Sequence, residues 1–377
     1  MTSTAPVWID DPTNAAILAV SEDRLQGFQL DPFGEIAERS GIDVATVLER
    51  IVAMVRSGTI RRVRQTLMAT NLAAGALCAW QVPPEQLNDA FEWLFREDPF
   101  SGHVVLRTTD AATPGSNYRL WTTLKVPQGF SIDKHAAFLA RTIGAGAYRL
   151  MPARALFALG VGHVRRRGIE PGARAEVLAE VQDTLIVDLD ALEWRVLTAI
   201  KRELAAGEIV RDVWAGRARE AGVSLEEFAR IGGALSAKGV IGRFSTFLEH
   251  VKASAGSGGK SVTRYNALFH WKVPAGREID AGRELGRHYI MTHAYWREGG
   301  PEFRGVNIMG VAHGTEKETL LAHKAAIDEH LRAAGIGFDY TNVFWGGRSE
   351  IKPSEIAPAA YTEFCAAHQL DPEAMRS

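Results

Sequence analysis

The apolar positions early in the chain follow the period of a helix and then change to the pattern of a strand. Five apolar residues between positions 44 and 55 fall on one helical face, and a glycine-containing turn separates them from the amphipathic residues 33–39. This predicts a helix-turn-helix. The branched and basic residues 60–67 predict a strand that forms a wing. The same unit recurs later in the chain, with helices predicted at 192–204, 213–221 and 225–238 and a wing at 240–248.

After the first wing, strand patterns alternate with helix patterns. The order is strand, helix, strand, strand, helix, strand, which is typical of a ferredoxin-like sandwich. Such a unit leaves one face of its sheet to be covered, and two copies can cover each other. The predicted elements are strands at 76–82, 102–108, 118–126 and 147–151, with helices at 85–95 and 132–142.

Three landmarks occur twice, in the same order, which indicates an internal duplication. Trp80 and Trp271 stand in the same W-x-V-P motif, 191 positions apart, and His103 and His293 follow 190 positions apart. The glycine that ends each helical unit, Gly58 or Gly239, precedes them at an offset of 181. The ten-residue difference falls on the Gly/Ser-rich residues 253–260, which read as an inserted loop.

The sequence therefore predicts an α+β protein, a tandem duplication of a winged helix-turn-helix followed by a ferredoxin-like domain. Each ferredoxin-like domain has the βαββαβ order. The predicted segments are a winged helix-turn-helix at 12–68, a ferredoxin-like domain at 69–168, a linker at 169–187, a second winged helix-turn-helix at 188–250 and a second ferredoxin-like domain at 251–377.

Composition and charge narrow the function classes. The chain has 377 residues, of which 46% are hydrophobic and 23% charged, values typical of a globular protein. Its 43 basic and 45 acidic residues argue against a surface built wholly for nucleic acid or for an anionic membrane. The two cysteines, Cys78 and Cys365, suggest neither a disulfide framework nor a zinc site. No leader or membrane span is evident, so we expect a cytoplasmic protein.

The local motifs resemble those of a known family. The order of helix-turn-helix, wing and βαββαβ domain looks like the Lrp/AsnC architecture, and the ferredoxin-like domains are then of the AsnC type. Within that architecture the motifs resemble the siroheme decarboxylases. The resemblance rests on AWQVP at 79–83, on the strand from His103 to Arg107, on NYRLWTTL at 117–124 and on H-x-Y-x-R at 293–297. Val105 stands where the family pattern has tyrosine, and 303–311 replace its Y-x-L-W run.

The resemblance implies an enzyme that removes acetate carboxylates from a siroheme-type tetrapyrrole in haem or haem d1 biosynthesis. The family's two homologous subunits would here be fused into one chain, an intrachain pseudo-dimer, and two such chains could associate further. No added cofactor is implied, because the conjugated ring takes up electrons; the only iron belongs to the bound tetrapyrrole. No protein-bound metal site is expected.

A site for such a ligand needs an apolar slot edged with arginines, because a guanidinium matches a carboxylate with two hydrogen bonds. Histidine suits proton transfer near neutral pH. The period of two places His103, Val105 and Arg107 on one face of their strand, and likewise the triplet at 293, 295 and 297. The predicted site contains His103 and His293 as proton donors and Arg107, Tyr118, Arg119, Arg149, Arg154, Tyr295, Arg297, Asn307 and Arg348 as substrate-binding residues; Arg304 also lies beside a predicted strand.

Two alternatives stay open. A ligand-responsive regulator of the Lrp/AsnC type could use Arg61, Arg62 and Arg64 of the first wing to contact phosphates. Against it, the predicted recognition helix at 44–56 carries few side chains suited to base edges, so nucleic acid is not the expected partner. A non-catalytic tetrapyrrole-binding protein would keep the slot and lose the acid.

Overall fold

The computed structural model describes residues 5–159, 168–182, 186–249, 254, 256 and 264–377. The predicted loop at 253–260 falls almost wholly outside these residues. Among the helices of the described ranges, none combines the length with the apolar character that crossing a membrane requires.

The first repeat begins with helices and continues with strands, as its pattern predicts. Side chains of Asp11, Asp31 and Asp43 cap the first three helices by accepting hydrogen bonds from backbone amides. The elements are α1 Pro12–Ser21, β1 Leu25–Gln26, α2 Pro32–Ser40, α3 Val44–Arg56, β2 Ile60–Leu67, β3 Ala73–Gln81, α4 Leu87–Arg96, β4 Ser101–Thr108, β5 Leu120–Pro127, α5 Ile132–Thr142, β6 Ala147–Pro152 and β7 Ala155–Leu159.

The second repeat has the same order of main elements, but in its described residues β1 has no counterpart, one long strand stands in place of β6 and β7, and a further helix follows. Asp190 and Glu193 form a capping box that begins its first helix. The elements are α6 Ala191–Lys201, α7 Trp214–Glu220, α8 Leu225–Ala237, β8 Ile241–Leu248, β9 Tyr265–Lys272, α9 Glu278–Gly286, β10 Met291–Trp296, β11 Ile308–Gly314, α10 Lys317–Ala333, β12 Tyr340–Ile351 and α11 Pro358–Ala367. The predicted fold class, a duplicated winged helix-turn-helix with a ferredoxin-like domain, is confirmed.

The chain forms two compact units, each built from both repeats. One unit contains residues 1–68, 160–168 and 187–264 and so combines the two helix-turn-helix segments. In it the two wing strands, β2 and β8, pair antiparallel with each other, and β1 adds to the other edge of β8. The sequence predicted each wing separately, but it gave no sign that the wings would pair.

The other unit contains residues 69–159, 169–186 and 265–377 and combines the two ferredoxin-like domains. Among its described residues, nine strands form one sheet in the order β6-β3-β5-β4-β12-β9-β11-β10-β7. The last strand of each repeat pairs with a strand of the other repeat: β12 pairs with β4, and β7 pairs with β10. The edge strands β6 and β7 are separated by only two residues in the chain, so the curved sheet returns to its starting edge.

Helices cover one face of this sheet and aromatic side chains fill the other. Under α4, α5 and α11 lies a core containing Trp80, and under α9 and α10 lies a second core containing Trp271. A third cluster, containing Trp121, Phe303 and Phe344, lies on the opposite face, which we call the inner face. Trp121 on β5 and His270 on β9 have ring centroids 6.1 Å apart although two strands separate them in the sheet, so the inner faces of the two halves oppose each other.

Several smaller predictions can be compared with the structure. Both tryptophans of the W-x-V-P motifs are fully buried, and both cysteines are buried and free. The segment predicted as a linker is hydrogen-bonded to the sheet unit: the Ala175 amide donates to the Arg287 carbonyl, and the Gln182 amide donates to the Leu156 carbonyl.

Candidate functional site

Strands β4 and β10 each place a histidine and an arginine on the inner face. The side chains of His103 and Ser349 meet through an Nε2–Oγ hydrogen bond of 2.8 Å, and Ser349 pairs with Val105. Val105 belongs to the inner cluster, and Arg107 contacts the inner residue Asn266. The predicted shared face of residues 103, 105 and 107 is therefore confirmed.

The second triplet shares a face as well. The rings of His293 and Tyr295 lie nearly parallel, at an interplanar angle of 14° with centroids 6.0 Å apart. The Arg297 guanidinium lies 4.5 Å from the centre of the Tyr295 ring, a cation–π arrangement. Burial raises the pKa of Tyr295 and lowers the pKa of Arg297. Arg297 also donates a hydrogen bond to the Met151 carbonyl, which fixes its guanidinium beside β6.

Arg107 is a buried cation that no carboxylate pairs with among the described residues. Both of its terminal nitrogens donate to Asn266 Oδ1 at 3.3 Å, and Nη1 also lies 3.5 Å from the Phe344 carbonyl oxygen. Burial lowers the pKa of Arg107 to about 10. A desolvated guanidinium held only by neutral oxygens retains affinity for an anion.

A chain of hydrogen bonds runs from Arg107 to His293. Asn266 Nδ2 lies 3.2 Å from His313 Nε2, and His313 Nδ1 lies 3.3 Å from Thr292 Oγ1. The same hydroxyl lies 3.1 Å from His293 Nδ1 and donates to the Val311 carbonyl at 3.0 Å. The second candidate proton donor is thereby connected to an arginine of the first repeat.

The equivalent positions in the first repeat carry different chemistry. Asn266 pairs with His313 across β9 and β11, and Gly75 pairs with Lys125 across β3 and β5 in the same register. A side chain added at Gly75 would meet the Lys125 ammonium at 2.5 Å, so this ammonium occupies the space above the glycine. Burial, and then the charge of Arg297, lower the pKa of Lys125 to about 7.

His270 lies at the centre of the inner face. Its ring is surrounded by Trp121, Phe303 and Phe344, with centroids 5.1 to 6.1 Å away. Burial, and then the charge of Arg107, lower the pKa of His270 to about 3, so this ring is neutral at physiological pH. Its surroundings suit an apolar interior better than proton transfer.

The other predicted residues of the first repeat lie at the margin of the inner face. Arg149 forms an ion pair of 2.5 Å with Glu302, which stands in a short 3-10 turn at Pro301–Phe303. Tyr118 is buried with its ring 5.3 Å from Phe303, and burial, followed by the charge of Glu302, raises its pKa. Arg119 Nε donates to the Arg107 carbonyl oxygen at 3.2 Å.

Four predicted residues are less closely connected with the inner face. Arg154 is exposed, stacks 5.5 Å from Trp296 and lies 3.8 Å from Glu298. Arg304 is exposed over the ring of Tyr340.

Asn307 and Arg348 make contacts of another kind. The Asn307 amide accepts a hydrogen bond from the Val273 amide and donates to the Val273 carbonyl and to Glu278, so it fixes the turn that follows the W-x-V-P motif. Arg348 binds Glu92 and stacks 4.2 Å from Phe91, both on the covering helix α4.

Sequence reasoning missed four residues that the structure brings into this site: Thr292, Asn266, His313 and Lys125. Asn266 and His313 are polar residues near the ends of largely apolar strands, a pattern that does not single them out. The constant offset did not reveal Lys125, because it lies 188 positions before His313 and the two landmark histidines lie 190 positions apart; the strand register aligns the two residues.

No cluster of three or more His, Cys, Asp or Glu side chains suited to hold a metal ion occurs within the described ranges. The titratable side chains that the described residues place on the inner face are histidines, arginines, tyrosines and Lys125.

Several known proteins have sequences similar to this chain. A family model for the AsnC-like ligand binding domain matches residues 72–158. A siroheme decarboxylase from Hydrogenobacter thermophilus is 24% identical over 292 residues, which cover 77% of this chain and 80% of that protein. The beta subunit of siroheme decarboxylase from Desulfovibrio desulfuricans is 30% identical over 115 residues, 30% of this chain and 70% of the subunit. The alpha subunit is 32% identical over 104 residues, 27% of this chain and 56% of the subunit.

Solved structures agree with the fold. The crystal structure of the siroheme decarboxylase NirDL matches with a TM-score of 0.65 at 18% identity, covering 95% of this chain and 100% of that chain. Its structure in complex with an iron-uroporphyrin III analogue matches with a TM-score of 0.64 at 18% identity, covering 94% and 99%. At this identity the likeness establishes a shared fold across both repeats.

Proposed function

Because this chain belongs to the siroheme decarboxylase family, we propose that it removes carbon dioxide from acetate side chains of a siroheme-type tetrapyrrole, as a carboxy-lyase of haem or haem d1 biosynthesis. One observation in the structure carries most weight. Two equivalent strands each bring a histidine and a buried arginine to the same face of one sheet. The two repeats act as an intrachain pseudo-dimer, and we place the enzyme in the cytoplasm.

The reaction breaks one carbon–carbon bond and forms one carbon–hydrogen bond. The carboxylate leaves as carbon dioxide, and the electron pair of the broken bond stays on the methylene carbon, where the conjugated ring delocalises it. A proton then converts that carbon into a methyl group. No oxidant or reductant is consumed, so the scheme needs no cofactor beyond the substrate, whose iron travels with it.

The protein must therefore supply a proton and hold the other carboxylates. His103 and His293 are the candidate proton donors, because an imidazole side chain can donate and regain a proton. Their partners Arg107 and Arg297 are buried cations, which bind a carboxylate more strongly than exposed ones do. Entry of the reacting carboxylate into an apolar site favours its departure as a neutral molecule.

The remaining arginines and tyrosines are proposed to bind the rim of the macrocycle. Arg149 and Arg119 lie at the margin of the inner face, with Tyr118 and Tyr295 offering hydroxyl groups beside them. Arg154 is exposed, and we propose that it binds a carboxylate at the edge of the macrocycle. The contacts of Asn307 and Arg348 support structural roles for these two residues instead.

The rival function, transcriptional regulation, is less well supported. Of the first wing's arginines, Arg64 lies 5.3 Å from the ring of Phe247 and Arg62 pairs with Glu203 at 2.9 Å. The wings themselves are used in pairing β2 with β8. A wing that contacts DNA presents its basic side chains to phosphates instead.

The test is anaerobic incubation of the purified chain with siroheme, followed by mass spectrometry of the tetrapyrrole. We expect stepwise loss of carbon dioxide from wild type. Visible absorbance during titration should show binding at one or two ligands per chain, which separates binding from turnover.

Three variants identify the acid: His103→Ala, His293→Ala and the double variant. We expect ligand binding to survive in each, while product formation falls by about 10² or more where the true acid is lost. Wild-type turnover in all three variants would reject histidine as the acid. Absence of any spectral change at micromolar siroheme would reject both the enzyme and the tetrapyrrole-carrier interpretation.

A further inference from the structure

The hydrogen-bond chain between Arg107 and His293 allows the proton positions to be worked out. Arg107 can only donate, so Asn266 Oδ1 is its acceptor and Asn266 Nδ2 is a donor. Nδ2 therefore donates to His313 Nε2, which must carry no proton. Neutral His313 then holds its proton on Nδ1 and donates it to Thr292 Oγ1.

The last hydrogen bond of the chain determines which ring nitrogen of His293 carries the proton. The single hydroxyl proton of Thr292 is donated to the Val311 carbonyl, so the Thr292 oxygen can only accept from other partners. His293 Nδ1 must then be a donor to it. With Nδ1 protonated, His293 gains and loses its exchangeable proton at Nε2. A ring held at one nitrogen presents the other in a defined direction, as in other histidine-dependent sites.

The first repeat lacks the residue types that build this arrangement. The position of Thr292 is taken by Gly102, that of His313 by Lys125 and that of Asn266 by Gly75. None of the three can hold the Nδ1 proton of His103 as a threonine hydroxyl does. His103 instead meets Ser349 through Nε2, the opposite ring nitrogen.

On the basis of the proposed function, we propose that the two repeats are not equivalent and that His293 protonates the methylene carbon through its Nε2. Thr292 and His313 are its positioning residues. Thr292 fixes the tautomer of His293, and His313, kept neutral by the Asn266 amide, fixes Thr292. His103 does not deliver the proton, and the first repeat contributes Arg107 as the start of the chain.

Two matched pairs of variants test the positioning residues. Thr292→Val has nearly the same shape without the hydroxyl, and Thr292→Ser restores it. His313→Leu breaks the chain, whereas His313→Gln can accept from Asn266 and donate to Thr292. In siroheme turnover we expect kcat to fall about 10- to 100-fold in Thr292→Val and His313→Leu with KM nearly unchanged, and to recover in the two conservative variants.

A second measurement is independent of turnover. In protein labelled with ¹⁵N-histidine and free of ligand, long-range ¹H–¹⁵N spectra report the tautomer of each ring; the His293→Gln variant assigns the signal. We expect the Nδ1–H form for His293 in wild type and in Thr292→Ser, and a mixture of tautomers in Thr292→Val.

The outcomes separate this inference from the proposed function. If wild type turns over siroheme but Thr292→Val and His313→Leu keep the wild-type kcat, the positioning role is wrong. If His103→Gln lowers kcat more than His293→Gln does, the assignment of the donor is wrong. If wild type shows no turnover, the proposed function fails, while an unchanged His293 tautomer in Thr292→Val would overturn the positioning role by itself.

Discussion

Lys125 should destabilise the folded protein, and its replacement by methionine should reveal by how much. The pKa of this ammonium falls from 10.5 to about 7, first because it is buried and then because Arg297 is close. The two values set an upper limit of about 5 kcal/mol on the cost of keeping the charge in the fold. Methionine has a similar unbranched shape without the charge. Since Lys125 is only half-buried, we expect a gain of about 2–4 kcal/mol at pH 6.

The stability difference between Lys125→Met and wild type should depend on pH in one direction. Below pH 7 both the folded and the unfolded states bind the proton, so the whole cost is present. Between about pH 7 and pH 10.5 only the unfolded state binds it, so wild-type stability gains up to about 1.4 kcal/mol per pH unit relative to Lys125→Met. The advantage of the variant should therefore shrink steadily and almost vanish near pH 10.5.

Urea unfolding followed by tryptophan fluorescence, at pH steps from 6 to 10, measures this difference. Lys134→Met removes the same charge from an exposed position of α5 and should follow wild type within about 0.5 kcal/mol at every pH. A stability difference between Lys125→Met and wild type that is equal at pH 6 and pH 10 would refute the argument, because no proton would then be linked to folding at this site.

Two further predictions concern the core and the wings. Phe303→Ala should lower the free energy of unfolding by about 3–5 kcal/mol, because this buried ring packs 5.3 Å from both Tyr118 and Trp121; thermal or urea unfolding measures it, and a loss below 1 kcal/mol would contradict the packing. The full chain should not retain duplex DNA from its own upstream region in a gel shift at physiological salt, because β2 and β8 are paired with each other; sequence-specific, salt-sensitive retention would restore the regulator.

The fold was largely predictable from the sequence because its signals are local. The spacing of apolar residues predicted the helices, and alternation predicted the strands and the shared faces of 103–107 and 293–297. The repeated tryptophan and histidine landmarks predicted the duplication. What could not be predicted is pairing between repeats, such as Val105 with Ser349, because register depends on packing between segments distant in the chain.

The candidate site was predictable in part for the same reason. His293, Tyr295 and Arg297 lie on one strand, so a period of two was enough to bring them together. The chain from Arg107 to His313 crosses four neighbouring strands, β4, β12, β9 and β11, and no local pattern encodes it. Arg348 shows another limit of local reasoning, because an arginine on a strand can equally well bind the covering helix.

The differences between the two repeats come in pairs of facing residues, each of which depends on its partner. The Lys125 ammonium needs the room that Gly75 leaves, since a side chain there would meet it at 2.5 Å. His313 needs the Asn266 amide, because only a donor at that position keeps its Nε2 unprotonated. Exchanging one member of either pair would leave a collision or an unsatisfied ring nitrogen, so each pair is coupled energetically. At these positions the first repeat thus has an amine, and the second repeat has the neutral, directional hydrogen bonds that orient a histidine.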